Sequence, residues 1–221
     1  VKGYRNFANK LWNAARFILM NRQEGVSVNA TGQNPPDIWI RVRLYETIQS
    51  VDAAMDRYRM DEAAETLYQF VWHTFCDWYL ELAKVALQED KYPAGTIATM
   101  TTTFRDILLL LHPFMPFITT ELLPYFTSDK IPGCLSSFPE IDQAFLKNPH
   151  NATAAQSIEV LFNTVSEIRN RRGEMNIPPS EKMTLLIDGV EKEISSYLPY
   201  MKRLAGIEKV VFRLHPLSHS F

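Results

Sequence analysis

Apolar residues recur at three- and four-residue steps over residues 3–22, through Tyr4, Phe7, Ala8, Leu11, Ala15 and Ile18, the spacing of an amphipathic helix. The loop EGVSVNATGQNPP follows, rich in Gly, Asn and Pro. Asp37 stands after two prolines, a helix-start signal, and IWIRVRLYETIQSVDAAMDRY carries the helical pattern to about Tyr58. The clearest stripe spans 61–88, through Ala64, Leu67, Val71, Phe75, Trp78, Leu82 and Val85. Pro93 opens another helix that runs through FRDILLLL. Pro113 and Pro116 in HPFMPF interrupt it, and FITTELLPYF follows as a shorter helix. Residues 127–150 read as a long connection. A helix over about 152–174 ends in the basic run RNRR before Gly173.

Beyond NIPPS the period changes. MTLLIDG and KVVFRL read as strands, and EKEISSYLPYMKRLAG between them as a helix despite Pro199. The pattern therefore predicts a mainly α protein. Residues 1–150 form an antiparallel helical bundle; 151–221 hold a connecting helix and a small α/β appendage that looks truncated.

The polar positions of the first helix are less regular. At about 100° per residue, Tyr4, Leu11, Ala15 and Ile18 share one side, while Asn6, Lys10, Asn13 and Phe17 share the other, with Arg5, Asn9 and Arg16 on the flank. Lys2, Arg5, Lys10, Arg16 and Arg22 all precede the first acid, Glu24. Cations, amides and an aromatic ring suit single-stranded nucleic acid: the cations meet phosphates, the amides meet base edges, and the ring stacks on an unpaired base. On the wheel alone Phe17 also fits, and slightly better, a ring packed under the following loop or against a second bundle helix. In 61–88, Gln69, His73, Cys76 and Leu80 lie opposite the apolar stripe, so Leu80 reads either as a pocket floor beside the first helix or as a contact to a neighbour.

Composition narrows the function. The 221 residues are 46% hydrophobic and 22% charged, ordinary for a globular chain. A net charge of −2 excludes a protein that coats nucleic acid through overall charge; any RNA site must be a local patch. Cys76 and Cys134 cannot build a disulfide framework, which points to a reduced, cytoplasmic setting. No apolar run is long enough to span a membrane. His73, Asp77 and Glu81 stand at four-residue steps, but the Glu-x-x-His pairs of a di-metal bundle are absent, and the ladder reads as a solvated face of i, i+4 pairs. His215 and His219 flank Pro216, which does not suit a helical ligand pair. There is no Gly-x-Ser-x-Gly, Walker loop or Gly-x-Gly-x-x-Gly. Both ends look cut from something longer.

Four segments, YRNFANKLWNAARFILMN, DEAAETLYQFVWHTFCDWYLELAK, LLHPFMPFITTEL and IRNRRGEMNIPPS, occur in an order and spacing that resemble the carboxy-terminal part of bacterial-type valyl-tRNA synthetases. HPFMPF is shared with the related leucine and isoleucine enzymes; NKLWNAARF together with FCDWYLELAK and EMNIPPS is specific to the valine enzymes. The resemblance runs from about residue 3 to about 212. It implies the helical-bundle anticodon-binding domain of class I synthetases. Its partners are then the anticodon stem-loop of a valine-accepting tRNA and the catalytic domain of a parent chain. The parent joins valine to tRNA using ATP and Mg, and hydrolyses mischarged threonyl-tRNA at a separate editing domain. The family's His-x-Gly-His and Lys-Met-Ser-Lys-Ser motifs and its coiled-coil arm are absent from these residues. No cofactor and no catalysis are therefore expected of this chain alone, and the expectation is a cytoplasmic monomer without membrane association. Carried over by position, the family's anticodon contacts fall on Lys10, Arg16, Phe17 and Leu80. Phe17 would stack, Arg16 and Lys10 would contact phosphates or base edges, and Leu80 would be an apolar wall. Asn13 is added from the wheel. The alternative is a structural bundle that docks the catalytic domain and makes no RNA contact. Two departures stand out from the family pattern, Leu123-Pro124 in ELLPY, which shortens that helix, and Gly173, which suggests fraying.

Overall fold

The computed structural model describes residues 2–22, 31–89, 93–127, 136–178, 181–188 and 197–213. Residues 24–30 of the expected loop, Cys134, the start of EKEISSYLPYMKRLAG, His215 and His219 lie outside them, as does the side chain of Tyr4.

Helix α1 (Lys2–Asn21) forms where the first apolar stripe lies, and Phe7, Leu11, Ala14, Ala15 and Ile18 are buried. Ala8 is only half-buried. Helix α2 (Pro35–Asp56) starts earlier than the Asp37 signal suggests. Asn34 is the N-cap, its side-chain oxygen accepting from the Asp37 amide at 2.9 Å, and Pro35 takes the first turn, where a missing N–H costs nothing. Asp37 lies in that same first turn, fully buried. Helix α2 ends in a six-to-one, five-to-two hydrogen-bond pair, Arg59 N–H to Ala54 and Tyr58 N–H to Met55, each 2.9 Å. Tyr58 takes the left-handed position with φ 58°.

The long helix over 61–88 is three pieces: α3 (Met60–Gln69), a π-helical segment (Phe70–Tyr79) and α4 (Leu80–Glu89). A π turn closes i→i+5 bonds, so each residue advances less than in an α-helix and the buried face recurs at steps of four. Ala63, Leu67, Val71, Phe75, Tyr79 and Ala83 are buried. The expected stripe is corrected at two positions: Ala64 is exposed and Trp78 half-buried.

Helix α5 (Ala94–Leu111) is the most enclosed. Two of its buried threonines are satisfied locally: Thr101 donates to the Ile97 carbonyl at 2.7 Å and Thr99 to that of Gly95 at 3.0 Å. After the proline break, α6 (Pro116–Leu122) gives way at Leu123-Pro124 to a single 3₁₀ turn (Leu123–Tyr125), as that departure from the family pattern implied. A short α7 (Gln143–Leu146) interrupts the expected connection. Helix α1 packs against α5, the π segment and α6; α2 packs against α3, the π segment and α5.

Helix α8 (Pro149–Glu174) holds Gly173 in its last turn without breaking. The chain divides into two compact units, Val1–Gln156 and Ser157–Phe221. In the second, β1 (Met183–Asp188) and β2 (Ile207–Arg213) pair in parallel, from Thr184 opposite Lys209 to Asp188 opposite Arg213. Helix α9 (Leu198–Ala205) precedes β2. Pro199 does not interrupt this helix; it sits in its first turn. Two arginines of the RNRR run hold the end of α9. Arg169 donates to the Leu204 carbonyl at 2.7 and 3.0 Å; the buried Arg172 donates to the carbonyls of Ala205, Pro178 and Glu181 at 3.0, 2.6 and 2.6 Å. Those cations satisfy carbonyls that a helix C-terminus leaves open. They are structural.

Candidate nucleic-acid interface

The five residues singled out by sequence lie along α1 and the start of α4, in two settings. Lys10 and Phe17 turn toward the rod made by α3, the π segment and α4. The Lys10 ammonium stands 4.1 Å above the Trp72 ring and pairs with Asp77. Trp72 belongs to a stack with Phe7 and Tyr68, with ring centroids 5.3 to 6.3 Å apart. The π segment brings these rings together, and the stack fixes Lys10 at the seam. Asp77 also faces His73, Nδ1 to Oδ2 3.3 Å, and Glu81 pairs with Lys84. The His73, Asp77, Glu81 ladder is thus engaged in contacts within the protein, with Asp77 on Lys10 and Glu81 on Lys84. Burial pushes the Cys76 thiol beside it up to about 12, which leaves that sulfur protonated and unreactive at neutral pH.

Phe17 is half-buried, with the Lys84 ammonium 5.5 Å from its ring centre. Leu80 is buried, 6% exposed, and stands one turn before Lys84, so the two share a face of α4. The wheel set Leu80 opposite the apolar stripe. The lag that accumulates through the π segment turns it inward instead.

Asn13 and Arg16 differ from the other three. Both are exposed, and neither makes a hydrogen bond or ion pair among the described residues. With Arg5, Asn6 and Asn9 they form the outer crest of α1, which carries no Asp or Glu. Arg22 is spent on the Tyr125 carbonyl at 2.8 Å. The structure therefore joins Lys10, Phe17 and Leu80 to the seam between α1 and the rod, and places Asn13 and Arg16 on a cationic, acid-free ridge beside it. Such a surface can take phosphates at the ridge and a base against a ring.

Sequence reasoning missed two rings. Trp72 holds Lys10 in place. Trp12, 44% exposed on the other shoulder of the crest, meets no other ring and no cation among the described residues. An apolarity count groups Trp12 with the core, yet one turn away Asn9 and Arg16 flank it on its outer side, with Ala8 and Ala15 on its inner side.

Comparison with known proteins adds to this geometry. The family described as the anticodon-binding domain of tRNA ligase matches residues 37–187, from the first turn of α2 into β1. The chain is 39% identical over 225 residues to a valine–tRNA ligase of Legionella pneumophila, an alignment covering 95% of this chain and 24% of that protein. It is 41% identical over 226 residues to a valine–tRNA ligase of Neisseria meningitidis, covering 95% and 23%. One from Syntrophotalea carbinolica is 34% identical over 96% and 24%. The chain thus spans about a quarter of the length of these relatives. No described helix is long and apolar enough to cross a membrane.

Proposed function

The chain belongs to the anticodon-binding domain family of tRNA ligases, and we propose that it grips the anticodon stem-loop of a valine-accepting tRNA on behalf of a valine–tRNA ligase. The observation that carries this reading is the acid-free crest of α1, where Asn13 and Arg16 stand exposed and unpaired among the described residues beside a half-buried Phe17. Arg16 neutralises a phosphate, Asn13 meets a base edge, and Phe17 stacks against an unpaired base. Leu80 backs the seam as an apolar wall. Lys10 reaches RNA by exchanging Asp77 for a phosphate. Valine activation with ATP and Mg, and hydrolysis of mischarged threonyl-tRNA, belong to parts of the parent beyond these residues. The parent is a cytoplasmic monomer in this reading.

One observation favours a second reading, a bundle that only docks the catalytic domain. Lys10, Phe17 and Leu80 are already engaged within the protein. Titration with a valine-tRNA anticodon stem-loop at low and moderate salt separates the two. The first reading expects affinity to fall steeply with salt. Arg16→Ala should reduce the salt slope by about one phosphate contact. Phe17→Ala should cost about 1–3 kcal/mol of binding. Absence of binding, or binding indifferent to both changes, would overturn the first reading.

A further inference from the structure

We infer that Trp12 is a second stacking platform for an unpaired base of the same RNA loop, on the shoulder of α1 opposite Phe17. The inference rests on the anticodon reading above and extends it to a residue that reading does not use. Trp12 and Phe17 are five residues apart, about 140° around the helix, and the exposed Asn9, Asn13 and Arg16 stand between them. The protein's three other tryptophans are covered: Trp39 is buried and Trp72 and Trp78 are half-buried. Trp12 alone keeps 44% of its surface in water, with no ring, cation or hydrogen-bond partner among the described residues.

Charge selects the occupant. Arg16 lies one turn after Trp12 and Arg5 two turns before, on the same side of the helix, and no acid occurs before Glu24. Successive nucleotides of a strand offer a flat ring to the indole and phosphates to the flanking guanidiniums, while Asn9 and Asn13 can meet base edges. A loop astride the crest would thus stack on both shoulders, with cations and amides between them. An acidic protein surface would satisfy the arginines but would leave the indole face and the two amides without matched partners.

The test uses the 221-residue chain and the valine-tRNA anticodon stem-loop. Affinity is read by anisotropy of labelled RNA, and contact by quenching of protein fluorescence. Trp12→Ala should weaken binding about fivefold or more. Trp12→Phe, which keeps a ring, should bind within about threefold of the unaltered chain yet lose most of the quenching. The ring is exposed, so helical content by circular dichroism should not change in either variant. If Phe17→Ala weakens binding while Trp12→Ala leaves it untouched, the inference fails and the anticodon reading stands. Quenching that persists in Trp12→Phe also overturns it, because another tryptophan then reports the RNA. If the unaltered chain does not bind the stem-loop, both fall together.

Discussion

Asp77 shows how one carboxylate can govern a binding surface from across a seam. It holds Lys10 against Trp72 and faces His73 at the same time. In the free protein Lys10 is therefore a neutralised cation, and Arg5 and Arg16 supply the field of the crest. An exposed pair of this kind is worth about 1 kcal/mol or less, so a phosphate can displace it. Asp77→Asn should free the ammonium and remove a negative charge from the approach of RNA. Stem-loop affinity at low salt should rise by up to about fivefold, and the gain should shrink as salt is added. If affinity is unchanged at low salt, Lys10 does not reach the RNA and serves only the aromatic stack. His73 would remain beside the new amide, so the variant also tests whether Asp77 or the ring stack positions this corner.

Elements were legible in the sequence wherever one period held. Helix α1, the interrupted α5–α6 pair, the two strands and the helix before β2 all follow from spacing and proline. The rod from Met60 to Glu89 was legible as helix but not as π-helix, because nothing in FVWHTFCDWY marks an i→i+5 turn. The lag of that segment turned Leu80 in and Trp78 aside, so the wheel placed Leu80 on the wrong face; Ala64, which precedes the segment, is exposed beside the buried Ala63. The exposure of Asn13 and Arg16 followed from α1 alone and was legible. The covering of Lys10 and Phe17 depends on the neighbouring rod and was not. The turn after α2 was also unreadable, since a tyrosine occupies the left-handed position that glycine normally takes. Tyr58 is 88% exposed and packs little. Tyr58→Gly should relieve roughly 1–2 kcal/mol of backbone strain against roughly 0.5–1 kcal/mol of added unfolded-state entropy. A net gain of a few tenths to about 1 kcal/mol should appear as a higher urea midpoint with an unchanged slope. A lower midpoint would mean that the ring contributes more than its exposure suggests.

At the scale of the whole bundle, Asp37 joins three elements at one buried point. It sits in the first turn of α2, where Tyr79 of the π segment donates to one carboxylate oxygen at 2.6 Å and Thr96 of α5 donates to the other at 2.8 Å. Gly32 passes so close that a Cβ there would overlap the carboxylate. Burial pushes the Asp37 carboxyl up to about 6, against the partial relief of bonds from Tyr79, Thr96 and Asn34 and the charge of Arg41. The folded protein therefore holds this proton more tightly than the unfolded chain, whose aspartate titrates near its ordinary 3.8. The stabilising contribution is complete below about pH 4 and is lost as pH rises through about 6, amounting to roughly 3 kcal/mol at 1.36 kcal/mol per pKa unit. All four tryptophans lie in the first compact unit, so fluorescence-detected urea unfolding reports on the bundle that Asp37 fastens. Burial also raises Asp52 and Asp106, while Arg59 lowers Asp61, so the quantity to compare is the difference between the unaltered chain and Asp37→Asn. The amide keeps an acceptor for Tyr79 and has no proton to lose. Stability of the variant relative to the unaltered chain should rise by up to about 3 kcal/mol between pH 4 and pH 7. A difference that stays flat across that interval would mean Asp37 is ionised throughout, held by its three hydrogen bonds in spite of its burial.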